Sequence, residues 1–189
     1  MIPTICIPTT PERRKRTNEL IRSIQENTNI PYRICIYENN DGGWVPAVYN
    51  MLENIDGFVW LLGSDTIVEK DALEILIKRY TGAFPQQDGI CEPFNEMHGD
   101  TLCQHPFGHK NTILKYLDKR FTHWYSDNWF TILSKKDGKL LYVPDAKIQH
   151  NHFVNGKAEV DETYKIIFNP ETIERDRLLF EKLKNETNS

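Results

Sequence analysis

The chain has 189 residues, enough for one compact domain, and its 39% apolar and 26% charged residues are ordinary for a soluble globular protein. The formal charge of -4 argues against nucleic acid as the main partner, although it leaves room for a local basic patch. No apolar run reaches the roughly 20 residues of a membrane-spanning helix, and the N-terminus lacks the order of a signal peptide. We therefore expect a cytoplasmic protein with reduced cysteines.

The first half of the chain alternates short apolar runs with amphipathic segments. The predicted elements, in chain order, are a strand at 2–8, a helix at 12–25, a buried strand at 32–37, a helix at 45–53, a strand at 58–62 and a helix that begins at Thr66 or Asp71. Such alternation predicts an α/β fold in which helices cover both faces of a largely parallel sheet.

The second half is less regular but shows no repeat and no linker, so we expect a single domain over residues 1–189. Here the predicted elements are short strands near 89–92 and 102–105, helices at 110–119 and 124–133, strands at 140–143 and 146–153, and an amphipathic helix at 172–184.

Polar residues follow each of the first three predicted strands, at the edge where parallel sheets bind ligands. They are Pro8, Thr9 and Thr10 after the first strand, Glu38, Asn39, Asn40 and Asp41 after the second, and Gly63, Ser64 and Asp65 after the third. The first two groups have the ordinary composition of turns, which explains them equally well. Asp65 is more specific, because its small neighbours let a diphosphate and a hard cation approach; the alternative is a turn or helix cap.

Two later segments carry further candidates. Asp127 lies among aromatic residues and is suited to act as a general base, or else it caps a helix whose aromatics belong to the core. His150 and His152 lie two residues apart in a predicted strand and would share a face, as metal ligands or as ordinary surface histidines.

A basic run covers residues 13–16. One of its side chains is a candidate contact for a phosphate or an anionic acceptor, but a solvated first helical turn is the simpler interpretation. The histidines and cysteines of residues 91–105 do not have the spacing of a structural zinc site.

Taken in order, these segments resemble the family 2 glycosyltransferases of GT-A fold over roughly residues 2–153. The stretches that carry the resemblance are TICIPTT (4–10), ICIYENN (34–40), VPAVYN (45–50), WLLGSDT with KDALEIL (60–76), YSDNWF (125–130) and KDGKLLYVPDAKIQHNH (136–152). The resemblance implies a mixed, mostly parallel sheet with a donor-binding half at about 1–90, a catalytic half at about 91–170 and a C-terminal helix at about 170–186.

The resemblance also implies roles for residues. The donor-binding positions would be Pro8, Thr9, Thr10, Glu38, Asn39, Asn50, Gly63, Ser64 and Asp65. Asp127 would be the catalytic base, and Asp65 with His150 or His152 would hold a divalent cation, Mn²⁺ or Mg²⁺. The chain departs from the family in having Gly63 where the metal motif has its first aspartate, and Ser126 where an acid usually precedes the base.

The implied activity is an inverting, non-processive, metal-dependent transfer of a sugar from a UDP-sugar to an unidentified glycan, lipid-linked or protein acceptor. Gly63 keeps open a catalytically inactive nucleotide-sugar-binding domain. A nucleotidyltransferase is disfavoured because residues 8–14 lack glycines. The negative net charge likewise makes a sugar transferase acting on nucleic acid unfavoured.

Overall fold

The computed structural model describes residues 1–39 and 43–187. The strands in this part of the chain are β1 (Thr4–Thr9), β2 (Arg33–Glu38), β3 (Phe58–Leu61), β4 (Thr66–Val68), β5 (Ile90–Phe94), β6 (Phe107–His109) and β7 (Leu140–His150). They form one sheet in the order β2-β1-β3-β6-β5-β7-β4. Asn40 and Asp41, two of the polar residues predicted to follow the second strand, lie outside the described residues.

The sheet is mixed but has one dominant direction. β1 pairs in parallel with β2 and β3, and β5 pairs in parallel with β7. Two strands run the opposite way: β6, between β3 and β5, and β4, at the edge beside β7. Five of the seven strands described therefore point in the same direction, which confirms the expected mixed, mostly parallel α/β sheet. Their carboxyl ends meet at one edge.

Helices cover both faces of the sheet, as the alternation predicts. Those described are α1 (Arg14–Asn27), α2 (Trp44–Glu53), α3 (Ala72–Ala83), α4 (Lys110–Tyr116), α5 (Ser126–Lys136), α6 (Glu162–Ile167) and α7 (Pro170–Thr187). Leu20 of α1 and Leu76 of α3 enter the core of one face, and Val48 of α2 and Phe130 of α5 enter the core of the other. None of the helices described has both the length and the apolar composition required to cross a bilayer.

The strand predicted as buried at 32–37 is instead an exposed edge. Among the described strands β2 pairs with β1 alone, and the side chain of Ile36 is 45% exposed. An apolar run of this length has the same pattern whether the strand has one neighbouring strand or two. The sequence pattern therefore does not distinguish an edge strand from a central one.

Three further predictions about strands were wrong. Residues 102–105 form no strand, because the backbone N–H groups of Gln104 and His105 bond to the carboxylate of Glu92 rather than to a neighbouring strand. The strands predicted at 140–143 and 146–153 form one continuous β7. Three short elements, β4, β6 and α6, were missed.

Candidate functional site

Two adjoining clefts lie at the carboxyl edge of the sheet. The first, the β1–α2 cleft, is lined by Pro8, Thr9, Thr10, Arg13, Asn39, Gly43, Trp44, Ala47, Ser64, His123, Thr163 and Ile167. The second, the Asp65 cleft, is lined by Arg16, Ser64, Asp65, Thr66, Asn151, Lys157, Ala158 and Glu159. Ser64 lines both clefts, so they adjoin at that residue.

Asp65 and His150 lie side by side because of a strand that the sequence did not reveal. β4 pairs with β7 in a register that sets Thr66 opposite His150, and Asn151 donates its backbone N–H to the carbonyl oxygen of Asp65. Both side chains are largely buried, at 7% and 8% exposure. The Asp65 Oδ1 atom is 3.5 Å from His150 Nε2.

The other carboxylate oxygen of Asp65 is held by groups from both ends of the chain. Tyr164 donates its hydroxyl to Oδ2 at 2.8 Å, and Arg13 donates from Nη1 at 3.3 Å. Burial alone raises the pKa of Asp65, but His150, Arg13 and the Tyr164 hydroxyl together outweigh it and hold the pKa well below the ordinary range. Asp65 is thus a buried carboxylate fixed in its charged form.

Gly63, which stands in place of an aspartate of the family motif, is required by the position of Asp65. A Cβ atom at residue 63 would lie 2.8 Å from Asp65 Oδ1, closer than real Cβ contacts come. The glycine therefore gives the remaining carboxylate its position.

The Asp65–His150 pair fits two ligands of a divalent cation. Two ligands that each lie about 2.0–2.6 Å from one cation come within roughly 3–4 Å of each other, and the 3.5 Å between Oδ1 and Nε2 falls in this range. Within the described ranges, no group of three or more His, Cys, Asp or Glu side chains is arranged to hold a metal. A cation at this pair would take its remaining oxygens from a substrate or from water.

His152, the other imidazole suggested as a ligand, is placed differently. β7 ends at His150, so the alternation of a strand does not extend to residue 152. Its Nδ1 atom accepts the backbone N–H of Val154 at 3.2 Å, and its ring packs edge-on against Tyr164. Burial lowers its pKa to about 4. The imidazole therefore caps a turn, which leaves Nε2 as its one possible ligand atom.

Asp127 lies in the first turn of α5 but does not cap it. The N-cap is Tyr125, whose side chain makes no cap hydrogen bond. Asp127 Oδ1 accepts the N–H of Asn128 at 2.9 Å, and Oδ2 accepts from Gln104 Nε2 at 3.4 Å. Burial raises the pKa of this half-buried carboxyl, and these two donors and His98 offset the rise only in part.

The segment 103–105 lies between Asp127 and the Asp65–His150 pair. Gln104 contacts Asp127, whereas the ring of the next residue, His105, packs against the ring of His150 with their centroids 5.1 Å apart. This continuous series of contacts places the base candidate and the carboxylate candidate on the same side of the molecule.

The aromatic residues around Asp127 belong mainly to the core. Trp129 and Phe130 are 5% and 3% exposed, and Tyr125 stacks on Phe180 of α7 with centroids 5.4 Å apart. Trp124 donates its indole N–H to the carbonyl oxygen of Ile167. These aromatic side chains are therefore part of the core, which is the structural alternative given for this segment in the sequence analysis.

The residues predicted to bind a donor divide into two groups. Those that line the clefts are Pro8, Thr9, Thr10, Asn39, Ser64 and Asp65. Glu38, Asn50 and Gly63 do not. Glu38 is exposed and pairs with Arg14, and Asn50 is exposed on α2, where it donates to the hydroxyl of Tyr37.

Arg13 is the clearest residue that the sequence interpretation misjudged. It does not lie in a solvated turn: it is 8% exposed and forms ion pairs with Asp65 and Asp161. Glu92 and Gln104 were not considered for the site, and His105 was considered only as a zinc ligand. In each case the informative partner is distant in sequence, 148 residues in the case of Arg13 and Asp161.

The seven-stranded, mostly parallel sheet with helices on both faces is that of a GT-A glycosyltransferase fold. Solved structures of S. aureus TarS, a GT-A-type glycosyltransferase, share this fold. TarS 1–349 in complex with UDP-GlcNAc matches 95% of this chain and 65% of its own length, with a TM-score of 0.64 and 15% identity. TarS 1–349 in complex with UDP matches all of this chain and 72% of its own, with a TM-score of 0.56 and 15% identity.

This chain therefore spans about two thirds of the length of the TarS fragment with UDP-GlcNAc. No protein-family profile matches the chain, and no curated protein matches it either. The likeness is one of fold.

Proposed function

We propose that the chain is a glycosyltransferase of family 2 that transfers a sugar, with inversion, from a UDP-sugar to an acceptor hydroxyl. The observation that carries the proposal is the series of contacts from the Asp65–His150 pair through segment 103–105 to Asp127. These contacts bring two carboxylates together. Asp65 is suited to hold the cation that accompanies a donor diphosphate, and Asp127 is suited to take a proton. The UDP-GlcNAc and UDP bound to TarS support a nucleotide-sugar as donor.

The β1–α2 cleft would take the nucleotide. Its walls combine apolar surface from Trp44 and Ala47 with polar groups from Thr9, Asn39 and Ser64. His123 also lines it, and burial lowers the pKa of this imidazole to about 4, so the ring is neutral at physiological pH. A partly apolar cleft with the charged Arg13 at one wall suits a base and ribose that continue into a diphosphate.

Asp65 and His150 would hold a divalent cation, Mn²⁺ or Mg²⁺. Such a cation neutralises the charge that develops on a leaving diphosphate. Arg13, 3.3 Å from Asp65, would add a fixed positive charge at the same end of the site. These groups would bind the diphosphate and neutralise its charge, whereas the proton of the acceptor hydroxyl would be taken at a different residue.

Asp127 would accept the proton of the acceptor hydroxyl as its oxygen attacks the anomeric carbon. A carboxylate whose pKa is raised by burial is a stronger base than an ordinary one. Of the acceptors that the composition leaves open, we favour a glycan, lipid-linked or protein hydroxyl over nucleic acid. We also propose that the protein is cytoplasmic.

A panel of nucleotide-sugars, each tested with and without Mn²⁺, is the experiment that tests the proposal. A true donor raises the melting temperature, because binding at 100 times Kd stabilises by about 2.7 kcal/mol. In transfer assays Asp127→Asn should lose about 10²–10⁴-fold in rate with donor affinity retained. Asp65→Ala should instead lose the metal-dependent part of donor binding. Donor binding that chelation and Asp65→Ala both leave unchanged would contradict the metal assignment.

The second candidate is an inactive nucleotide-sugar-binding domain. It is favoured by Gly63, which removes one carboxylate, and by the engagement of Asp65 Oδ2 with Arg13 and Tyr164. Stabilisation by a UDP-sugar, with neither transfer nor hydrolysis for any acceptor class and Asp127→Asn equal to the parent chain, would decide for this candidate.

A further inference from the structure

Glu92 is a buried carboxylate that the proposed reaction does not use. It lies on β5 and is 2% exposed, and its two oxygens accept hydrogen bonds from a single segment, residues 103–105. Its Oε1 accepts the N–H of Gln104 at 3.1 Å, and its Oε2 accepts the N–H of His105 at 2.9 Å and the thiol of Cys103 at 3.2 Å. Within residues 1–39 and 43–187, no lysine or arginine pairs with it.

A carboxylate buried in this way is costly unless its oxygens are satisfied, and here backbone groups satisfy them. The interaction therefore fixes the backbone of segment 103–105 to β5. Thr131 reinforces the attachment, since its hydroxyl oxygen accepts the N–H of Cys103 at 2.8 Å. The segment has no regular secondary structure of its own to hold it in place.

The side chains of this segment reach two different parts of the site. Gln104 donates to the carboxylate of Asp127, and His105 packs edge-on against His150, beside Asp65. Because Gln104 and His105 are consecutive, one displacement of the backbone moves both contacts together.

We propose that Glu92 is a positioning residue that fixes segment 103–105 between Asp127 and His150 and so sets the geometry of the base relative to the donor end of the site. The role in catalysis rests on the function proposed above. The placement of Gln104 on Asp127 does not, so it is measured without an activity assay.

The test compares the pKa of Asp127, measured by carbon-13 NMR of its carboxyl group, in the full chain and in variants. The titratable groups that face Asp127 are His98 and Cys103, and the neutral donors are the N–H of Asn128 and the amide of Gln104. Glu92→Gln should raise the pKa of Asp127, because a displaced Gln104 no longer stabilises the carboxylate. Gln104→Met should raise it equally, and the double variant should add nothing further.

An unchanged pKa of Asp127 in folded Glu92→Gln, or an additive shift in the double variant, would overturn the proposal. If Glu92→Gln does not fold, Glu92→Asp takes its place, because it keeps the charge but shortens the side chain by one methylene. The same rise in the pKa of Asp127 is expected. Tyr49→Phe is the control, since it removes a hydrogen bond to the Leu117 carbonyl outside the site and should leave Asp127 unaffected.

Activity gives the second measurement. Displacement of the base by about 1 Å predicts a loss near 10²-fold in kcat for Glu92→Gln, with donor KM changed far less. A parent chain with no transferase activity contradicts the proposed function and leaves the NMR result standing. A normal kcat in Glu92→Gln, by contrast, rejects the positioning role while the proposed function survives.

Discussion

Asp127 owes its basic character to what surrounds it rather than to a charged partner. No cation pairs with it among the described residues; its oxygens accept only the N–H of Asn128 and, at 3.4 Å, the amide of Gln104. Burial therefore dominates and raises its pKa. Asp65 shows the opposite balance, because Arg13 and His150 beside it overcome an even deeper burial.

The raised pKa of Asp127 predicts that Asp127→Asn is more stable than the parent chain at neutral pH. The native state binds this proton more tightly than the unfolded chain does, so the stabilising contribution is complete below the unfolded pKa of about 3.9 and is lost as the pH rises through the native value. Asparagine resembles the protonated acid. Melting temperatures should therefore be higher for the variant at pH 7 and equal to the parent near pH 3.

Asp137, at the other end of α5, provides the control. Its pKa is lowered by a hydrogen bond from Lys115, so Asp137→Asn should bring no gain in melting temperature at pH 7. A gain of equal size in both variants would show that removal of any negative charge from this helix is sufficient, and would contradict a specific burial effect at Asp127.

The sequence identified single residues best where their neighbours in the chain carry the information. Asp65 and Ser64 follow an apolar strand and line the clefts, as expected from strand ends. Arg13 was misjudged and Glu92 was not considered, because their contacts with Asp161 and with segment 103–105 are not visible in any local pattern.

At the level of elements, α6 closes the site from the C-terminal side. Asp161 caps the helix by accepting the N–H of Tyr164 at 2.9 Å, and it also pairs with Arg13 and Arg16. Thr163 bonds the hydroxyl of Thr10 at 2.6 Å. These contacts join a helix of six residues, too short to be stable alone, to the N-terminal part of the site.

Asp161→Ala should therefore release α6 selectively. Loss of an N-cap costs about 0.5–2 kcal/mol, and the two arginine contacts are lost with it. Amide hydrogen exchange should accelerate over residues 162–168 and remain unchanged in α3. The matched variant Glu162→Ala removes an exposed pair with Lys165 on the same helix and should have little effect. Uniform acceleration over the whole chain would contradict a local role.

Elements with a strong pattern of their own were predicted, and those created by distant pairing were not. β1, α1 and β3 follow from apolar periodicity, within two or three residues at their ends. β4 has only three residues and exists because β7 supplies its hydrogen bonds. Its absence from the prediction mattered, because β4 is what places Asp65 beside His150.

On the scale of the whole molecule, the C-terminal helix is tied to the site by a second buried carboxylate. Asp176 of α7 is fully buried and accepts the backbone N–H groups of Thr122, His123 and Trp124. This attachment fixes residues 122–124, which precede α5, and with them the position of His123 in the β1–α2 cleft. The helix thus supports the β1–α2 cleft as well as the core.

Asp176→Ala should destabilise the chain by about 1–3 kcal/mol or more, because the N–H groups of Thr122, His123 and Trp124 lose their acceptor. Urea denaturation measures the loss. Glu174→Gln on the same helix removes an exposed pair with Arg177 and should change stability by less than about 1 kcal/mol. Equal losses in the two variants would contradict the role of the buried carboxylate.

The close approach at Gly63 also limits how this protein can change. A side chain at that position would begin 2.8 Å from the oxygen of Asp65 that faces His150, so Gly63→Asp would force the carboxylate of Asp65 to move. Arg13, His150 and Tyr164 all lie against that carboxylate, so its movement would disturb each of these contacts. A second acid at residue 63 would therefore be gained at the expense of the order around the first.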